Sequence, residues 1–189
     1  ALDAGFTSVM IDGSKLSFEE NCRVTAAVVA QAARCGASVE AELGPIIGEE
    51  GVAGRVDASA SSTFTDPAEA VRFCAETGVD ALAVAVGTAH GLYTRTPEIN
   101  LRLIGELASA VPAPLVLHGA TGIPDDAIRK SVSLGIRKIN FFSGLLVAAM
   151  DVLRAKVPAG DDNDYMAVRS RLREAWREAA RGVITLYAG

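Results

Sequence analysis

The sequence is short of the residues that most often do chemistry. Only 2 histidines occur among its 189 residues, and aromatic side chains make up 5%. The purely apolar stretches fall far short of the ~20 residues a membrane helix needs, which excludes a membrane-spanning role. No secretory signal pattern opens the chain. Charge is balanced and interspersed, with a net value of -5 and no basic stripe, so nucleic acid is not an expected partner. The three cysteines, Cys22, Cys35 and Cys74, have neither metal nor redox spacing. They read as small thiols in a reducing compartment, so a cytoplasmic location is expected. What the chain does have is apolar residues, 50% of the total, enough to bury one sizeable core as a single domain over 1–189.

Both histidines sit in matching places. Ala81-Leu82-Ala83-Val84-Ala85-Val86 runs into Gly87-Thr88-Ala89-His90-Gly91, and Leu115-Val116-Leu117 runs into His118-Gly119. Apolar runs of this length, bounded by glycine and proline, read as strands buried on both faces. A histidine at such a strand exit lies on the rim of the sheet, where α/β folds place their active sites. Two on successive strands can aim two imidazoles at one metal ion. The bland alternative is that one caps a helix or bonds a carbonyl, and it stays open at this point.

Short β-like runs at 8–11, 38–42, 81–86, 115–117 and 136–139 alternate with amphipathic patterns at 19–34, 67–77, 98–110 and 124–134. Proline marks three helix starts, at Asp66-Pro67, Thr96-Pro97-Glu98 and Ile123-Pro124, and Gly36, Gly78 and Gly135 follow helix ends. The alternation, without hairpin signals, means a parallel sheet. It suits a doubly wound sheet or part of a (β/α)8 barrel. Ala1-Leu2-Asp3-Ala4-Gly5 reads as the last turn of a helix already under way. A whole barrel takes ~250 residues, so the expected architecture is the last five βα units of a TIM barrel.

The glycine- and serine-rich stretch after Glu42, residues 44–63, is expected to be too polar and flexible to pack a core. It is either a solvated linker or a lid over the strand exits. Residues 158–164 should break a helix begun near Gly144. A final helix then presents Tyr165, Val168, Leu172, Trp176, Ala179 and Val183 as a packing stripe, shared in part with another subunit.

Polar groups gather at the strand exits. Asp12 follows the first strand, Glu40 and Glu42 alternate onto one face of the second, and His90, His118 and Asn140 follow later ones. Carboxylates on an inward face need a cation or a donor to be tolerated. Gly119-Ala120-Thr121-Gly122 and Asn140-Phe141-Phe142-Ser143-Gly144 each offer backbone N–H groups before a helix, as phosphate-binding loops do.

With these stretches assembled, the chain resembles the class II, zinc-dependent ketose-bisphosphate aldolases, in particular the fructose- and tagatose-bisphosphate branch. The resemblance rests on residues 8–14, 39–44, 82–93, 114–122 and 138–140, in the family's order along nearly the whole chain. It implies a zinc-dependent, reversible cleavage of a ketose bisphosphate to dihydroxyacetone phosphate and glyceraldehyde 3-phosphate. By the same resemblance His90 and His118 are two of three zinc-binding histidines, and Asp12 and Glu42 line an alternative or second cation position, divalent or monovalent. Glu50 matches an acid implicated in proton transfer. Gly91, Gly119, Ala120 and Thr121, with Asn140, Phe141, Phe142 and Ser143, match the segments that hold the sugar phosphate. The family is usually homo-oligomeric. Its His-x-Asp-His motif, carrying the third histidine and the catalytic aspartate, would fall upstream of Ala1, so the chain alone is expected to be inactive. Ile47, Gly51, Phe141 and Phe142 also depart from the family's usual residues. The competing reading is a noncatalytic barrel subunit or sugar-phosphate-binding scaffold, against which the two retained histidines argue.

Overall fold

The computed structural model describes residues 1–48, 54–57, 63–156 and 165–188. Strands β1 (Ser8–Ile11), β2 (Ser38–Leu43), β4 (Ala81–Val84), β6 (Leu115–Leu117) and β7 (Ile136–Ile139) form one five-stranded, all-parallel sheet in the order β1-β2-β4-β6-β7. Each strand joins the same side as its predecessor. A doubly wound sheet would reverse at a switch point, and among the described residues this one does not. The strand exits therefore lie side by side along one rim.

Between the strands run α1 (Phe18–Ala33), α2 (Pro67–Thr77), α3 (Leu101–Ala110) and α4 (Asp125–Leu134), followed by α5 (Ser143–Lys156) and α6 (Tyr165–Tyr187). Side-chain caps start three of them. Ser17 accepts the Glu20 N–H, Asp66 accepts those of Ala68 and Glu69, and Asn100 accepts that of Leu103. The start expected near Pro97 is thus corrected to Leu101. The physical reason lies in the preceding turn: Asn100 N–H donates to the Val86 carbonyl, and Glu98 O sits where a Cβ on Gly87 would be, so 98–100 is pinned against the strand exit and cannot coil. The fourth strand likewise ends at Val84 rather than at 86. Beyond it the Ala85 backbone turns to Thr65, donating to its hydroxyl and accepting its N–H.

The two faces of the sheet differ in kind. Val39, Ala41, Leu43, Leu82, Val84, Leu115 and Leu117 alternate onto the face that joins the core with Phe73, Ile104, Leu107 and Ile128 from α2, α3 and α4. Burying each large side chain there contributes ~1.5–3 kcal/mol. The opposite face carries Glu40, Glu42, Ala83, Val116 and His118, all buried.

The stretch after β2 departs from expectation. Ile46 is buried in the interior, Ile47 bridges Ala89, and β3 (Arg55–Val56) pairs in parallel with β5 (Leu92–Tyr93). Its described parts are not a solvated linker, because they carry apolar residues and backbone bonds to the segment bearing His90. In the terminal helix, Val168, Leu172, Ala179 and Val183 are half-buried, while Tyr165 and Trp176 stand exposed, so the stripe packs only in part. No helix among the described residues is long and apolar enough to cross a membrane.

Candidate metal centre

Two carboxylates reach one histidine across a strand of alanines. Glu42 pairs in register with Ala83 of β4, and Ala83 with Val116 of β6, so small side chains leave room between β2 and the exit of β6. His118 occupies that room with its side chain wholly buried. Its Nε2 lies 2.8 Å from Glu40 Oε1 and its Nδ1 lies 3.3 Å from Glu42 Oε2. Burial alone would lower the imidazole pKa, but the hydrogen bond to Glu40 and the negative charges of Glu40 and Glu42 outweigh it and push it up to about 9. For Glu40, burial opposes ionisation, yet the His118 and Lys138 contacts prevail and hold its pKa below the ordinary value.

The Glu42 contact differs from the Glu40 contact. Glu42 Oε2 and His118 Nδ1 are buried and make no hydrogen bond among the described residues, although they face each other. Ligand atoms ~2.0–2.1 Å from a tetrahedral ion stand ~3.4 Å apart, close to the 3.3 Å between these two atoms. The His90 ring lies 5.5 Å from the His118 ring, centroid to centroid, and Glu42, His90 and His118 each place a ligand atom within 4.8 Å of the others. The residues present therefore fit a cation. This is a nitrogen- and oxygen-donor set of the type zinc takes.

The loops around the cluster are held by specific bonds. Tyr93 donates its hydroxyl to Gly119 O at 2.7 Å and accepts the Ala89 N–H at 2.9 Å, joining the exits of β4 and β6. Burial of that phenol pushes its pKa up to about 12. Thr121 Oγ1 accepts the Gly144 N–H at 3.0 Å, which brings the two expected anion loops together. Gly91 approaches Gly54 so closely that a Cβ would meet its carbonyl. A cavity of about 410 Å³ opens beside these loops, lined by Tyr93, Thr94, Arg95, Thr96, Thr121 and Gly122 among others.

The structure brings together His90, His118, Glu42 and, at hydrogen-bond distance from His118, Asn140. Gly119, Ala120 and Thr121 form one side of the loop pair, and Asn140 to Ser143 the other. Ser143 is buried there, and the Phe141 ring covers Gly144, where a Cβ would strike it. Phe142 points outward, 42% exposed. Asp12 stands apart from the cluster. Its carboxylate is exposed and accepts the Ser14 N–H, closing its own turn. Glu50 lies outside the described residues. Sequence reasoning placed Glu40 on the right face but gave it no task, and it passed over Lys138 and Tyr93. A period of two could have found Glu40; nothing local marks the other two.

Residues 1–188 match the family described as fructose-bisphosphate aldolase class-II. The YdjI aldolase from Escherichia coli K12 superimposes with a TM-score of 0.83 at 36% identity, over 98% of this chain and 62% of that one. A Coccidioides immitis protein assigned as a fructose-1,6-biphosphate aldolase gives 0.86 at 31% identity, over 99% of this chain and 64% of that one. A fructose-bisphosphate aldolase from Campylobacter jejuni, at 23% identity and a TM-score of 0.69, shares the fold. The chain thus spans under two thirds of the length of these relatives. The chain belongs to the class II fructose-bisphosphate aldolase family.

Proposed function

We propose that the protein bearing this chain is a zinc-dependent aldolase that reversibly cleaves a ketose bisphosphate, fructose or tagatose 1,6-bisphosphate, to dihydroxyacetone phosphate and glyceraldehyde 3-phosphate. The observation that carries the reading is the Glu42–His90–His118 cluster, at ligand spacing, in a chain of this family. The monotonic parallel sheet supports an arc of five βα units in a (β/α)8 barrel.

His90, His118 and Glu42 would hold the zinc. When bound, zinc acts as a Lewis acid on the substrate ketone. The chain's own residues do the rest. The paired loops, Gly119 to Thr121 and Asn140 to Ser143, receive the phosphate through backbone N–H groups beside the start of α5. Gly91 lets the His90 exit approach them closely. Tyr93 keeps both exits in register.

Proton transfer needs another group. Glu40 is committed to His118 and Lys138, and Glu42 faces the cation, so neither is placed to take a proton from the ketone. Glu50 is the acid of this chain suited to a later proton transfer. The 189 residues alone are accordingly expected to turn over no substrate. The free thiols Cys22, Cys35 and Cys74 suit a reducing cytoplasm, and the exposed apolar residues of α6 suit a homo-oligomer. A noncatalytic scaffold has no use for two buried carboxylates against a buried imidazole, which cost stability without a cation or proton between them.

The test is a coupled assay on the protein with its neighbouring sequence, using both ketose bisphosphates. Cleavage abolished by a chelator and restored by zinc is expected. Chelator-insensitive cleavage, or none with either substrate at full zinc occupancy, contradicts the proposal.

A further inference from the structure

A lysine on the last strand reaches into the buried cluster. Lys138 lies on β7, an edge strand, with its side chain 53% exposed, yet its Nζ sits 2.6 Å from Glu40 Oε2. The other oxygen of that carboxylate, Oε1, meets His118 Nε2 at 2.8 Å. Lys138 also donates to Asn140 Oδ1 at 2.7 Å, which turns the amide nitrogen of Asn140 toward the same Nε2, 3.0 Å away.

A register shift makes this reach feasible. Leu115 pairs with Ile136, but Val116 pairs with Lys138, so Arg137 is bulged out of the ladder. Arg137 instead donates to the Val132 carbonyl at the end of α4. Without the bulge Arg137 would lie opposite Val116. With it, Lys138 shares the face of Val116 and His118. Bulges re-aim side chains in this way beside functional sites.

We propose that Lys138 and Glu40 are positioning residues for the cation, acting through His118. Lys138 fixes the Glu40 carboxylate so that it accepts the Nε2–H of His118. A carboxylate only accepts, so the ring proton is held on Nε2, where the Asn140 amide nitrogen, itself a donor, packs without bonding, and the Nδ1 lone pair is left facing Glu42 and the cation. A carboxylate behind a ligating histidine sets its tautomer and ring orientation in metal sites generally, and its loss typically costs ~10–100-fold in affinity. Lys138 extends that chain by one link, from the last strand of the sheet. The inference rests on the zinc reading proposed above.

The test uses cobalt(II) as the probe, titrated into the protein with its neighbouring sequence and read by visible absorption, with thermal unfolding of the metal-free proteins as a control. Three variants are compared: Lys138→Met, Lys138→Arg and Glu40→Gln. The wild type is expected to show the intense bands of a low-coordinate site. Lys138→Met and Glu40→Gln are expected to bind ~10–100-fold more weakly, and Lys138→Arg to recover most of the loss because it keeps the donor. Lys138 is half-exposed, so its variants should unfold near the wild-type temperature. Wild-type binding with Lys138→Met within twofold of it would overturn the positioning role alone. Absence of any cobalt site in the wild type would overturn the zinc reading and this inference with it.

Discussion

The carbonyl oxygen of Ala89 occupies the place where residue 119 would carry its Cβ, 2.2 Å from that position, and Gly119 has a left-handed φ of 69°. The exits of β4 and β6 therefore touch backbone to backbone, and this contact sets the distance between His90 and His118. Gly119→Ala would force the Ala89 segment outward and strain the backbone as well. The expected result is a loss of ~1–3 kcal/mol in stability together with weakened zinc binding. Denaturant melts and metal titration check both. A variant as tight for zinc as the wild type would show that the contact does not set the site.

Tyr93 fixes the same two exits from the side. Tyr93→Phe leaves the Ala89 N–H and the Gly119 carbonyl without their partner, and each such buried group costs ~1–3 kcal/mol. The variant should melt earlier and lose part of its zinc affinity. An unchanged unfolding midpoint would mean that water replaces the hydroxyl at no cost.

His118 gives the metal-free protein a pH signature. Its folded pKa, about 9, lies above the ordinary 6.5, so its contribution to stability is complete below pH 6.5 and is lost as pH rises through about 9. Metal-free chain should weaken over that window, by ~3 kcal/mol at most. Zinc must displace the proton, so its affinity should rise with pH until about 9. Calorimetry across the window checks both trends. Zinc affinity that does not vary from pH 7 to 9 would contradict the protonated state assigned to His118.

Glu42 separates the two roles a carboxylate can play here. Glu42→Gln removes a cation ligand and also one of the two charges that raise the His118 pKa. The zinc affinity should fall by more than the ~10–100-fold typical of outer partners. In the same variant the His118 titration should move down, as followed by NMR. Full zinc affinity in Glu42→Gln would remove Glu42 from the ligand set.

Much of this was legible in the sequence because the fold is repetitive. The alternation of apolar runs and capped helices carried the parallel sheet, and the two His-Gly strand ends carried the cluster. Period-two spacing placed Glu40 and Glu42 on one face. The helix start at Leu101 was not legible, since the contact of Glu98 with the Gly87 turn joins residues eleven apart in sequence through a backbone approach. The packing of Ile46 was hidden by its glycine-rich surroundings. Lys138 was hidden most deeply. Simple alternation from Ile136 assigns it to the core side of the sheet, and only the bulge at Arg137 sends it to the histidine. Asp12 is seen closing its own turn, since a carboxylate at a strand exit serves a turn as readily as a cation.

The central claim is that Glu42, His90 and His118 hold one cation. Zinc-edge X-ray absorption on the zinc-loaded protein with its neighbouring sequence tests it most directly. The account predicts light-atom coordination with at least two imidazoles and Zn–N distances of ~2.0–2.1 Å, with one imidazole fewer in His118→Ala. Sulfur scattering at ~2.3 Å, or a spectrum unchanged by that substitution, would place the zinc elsewhere and contradict the account.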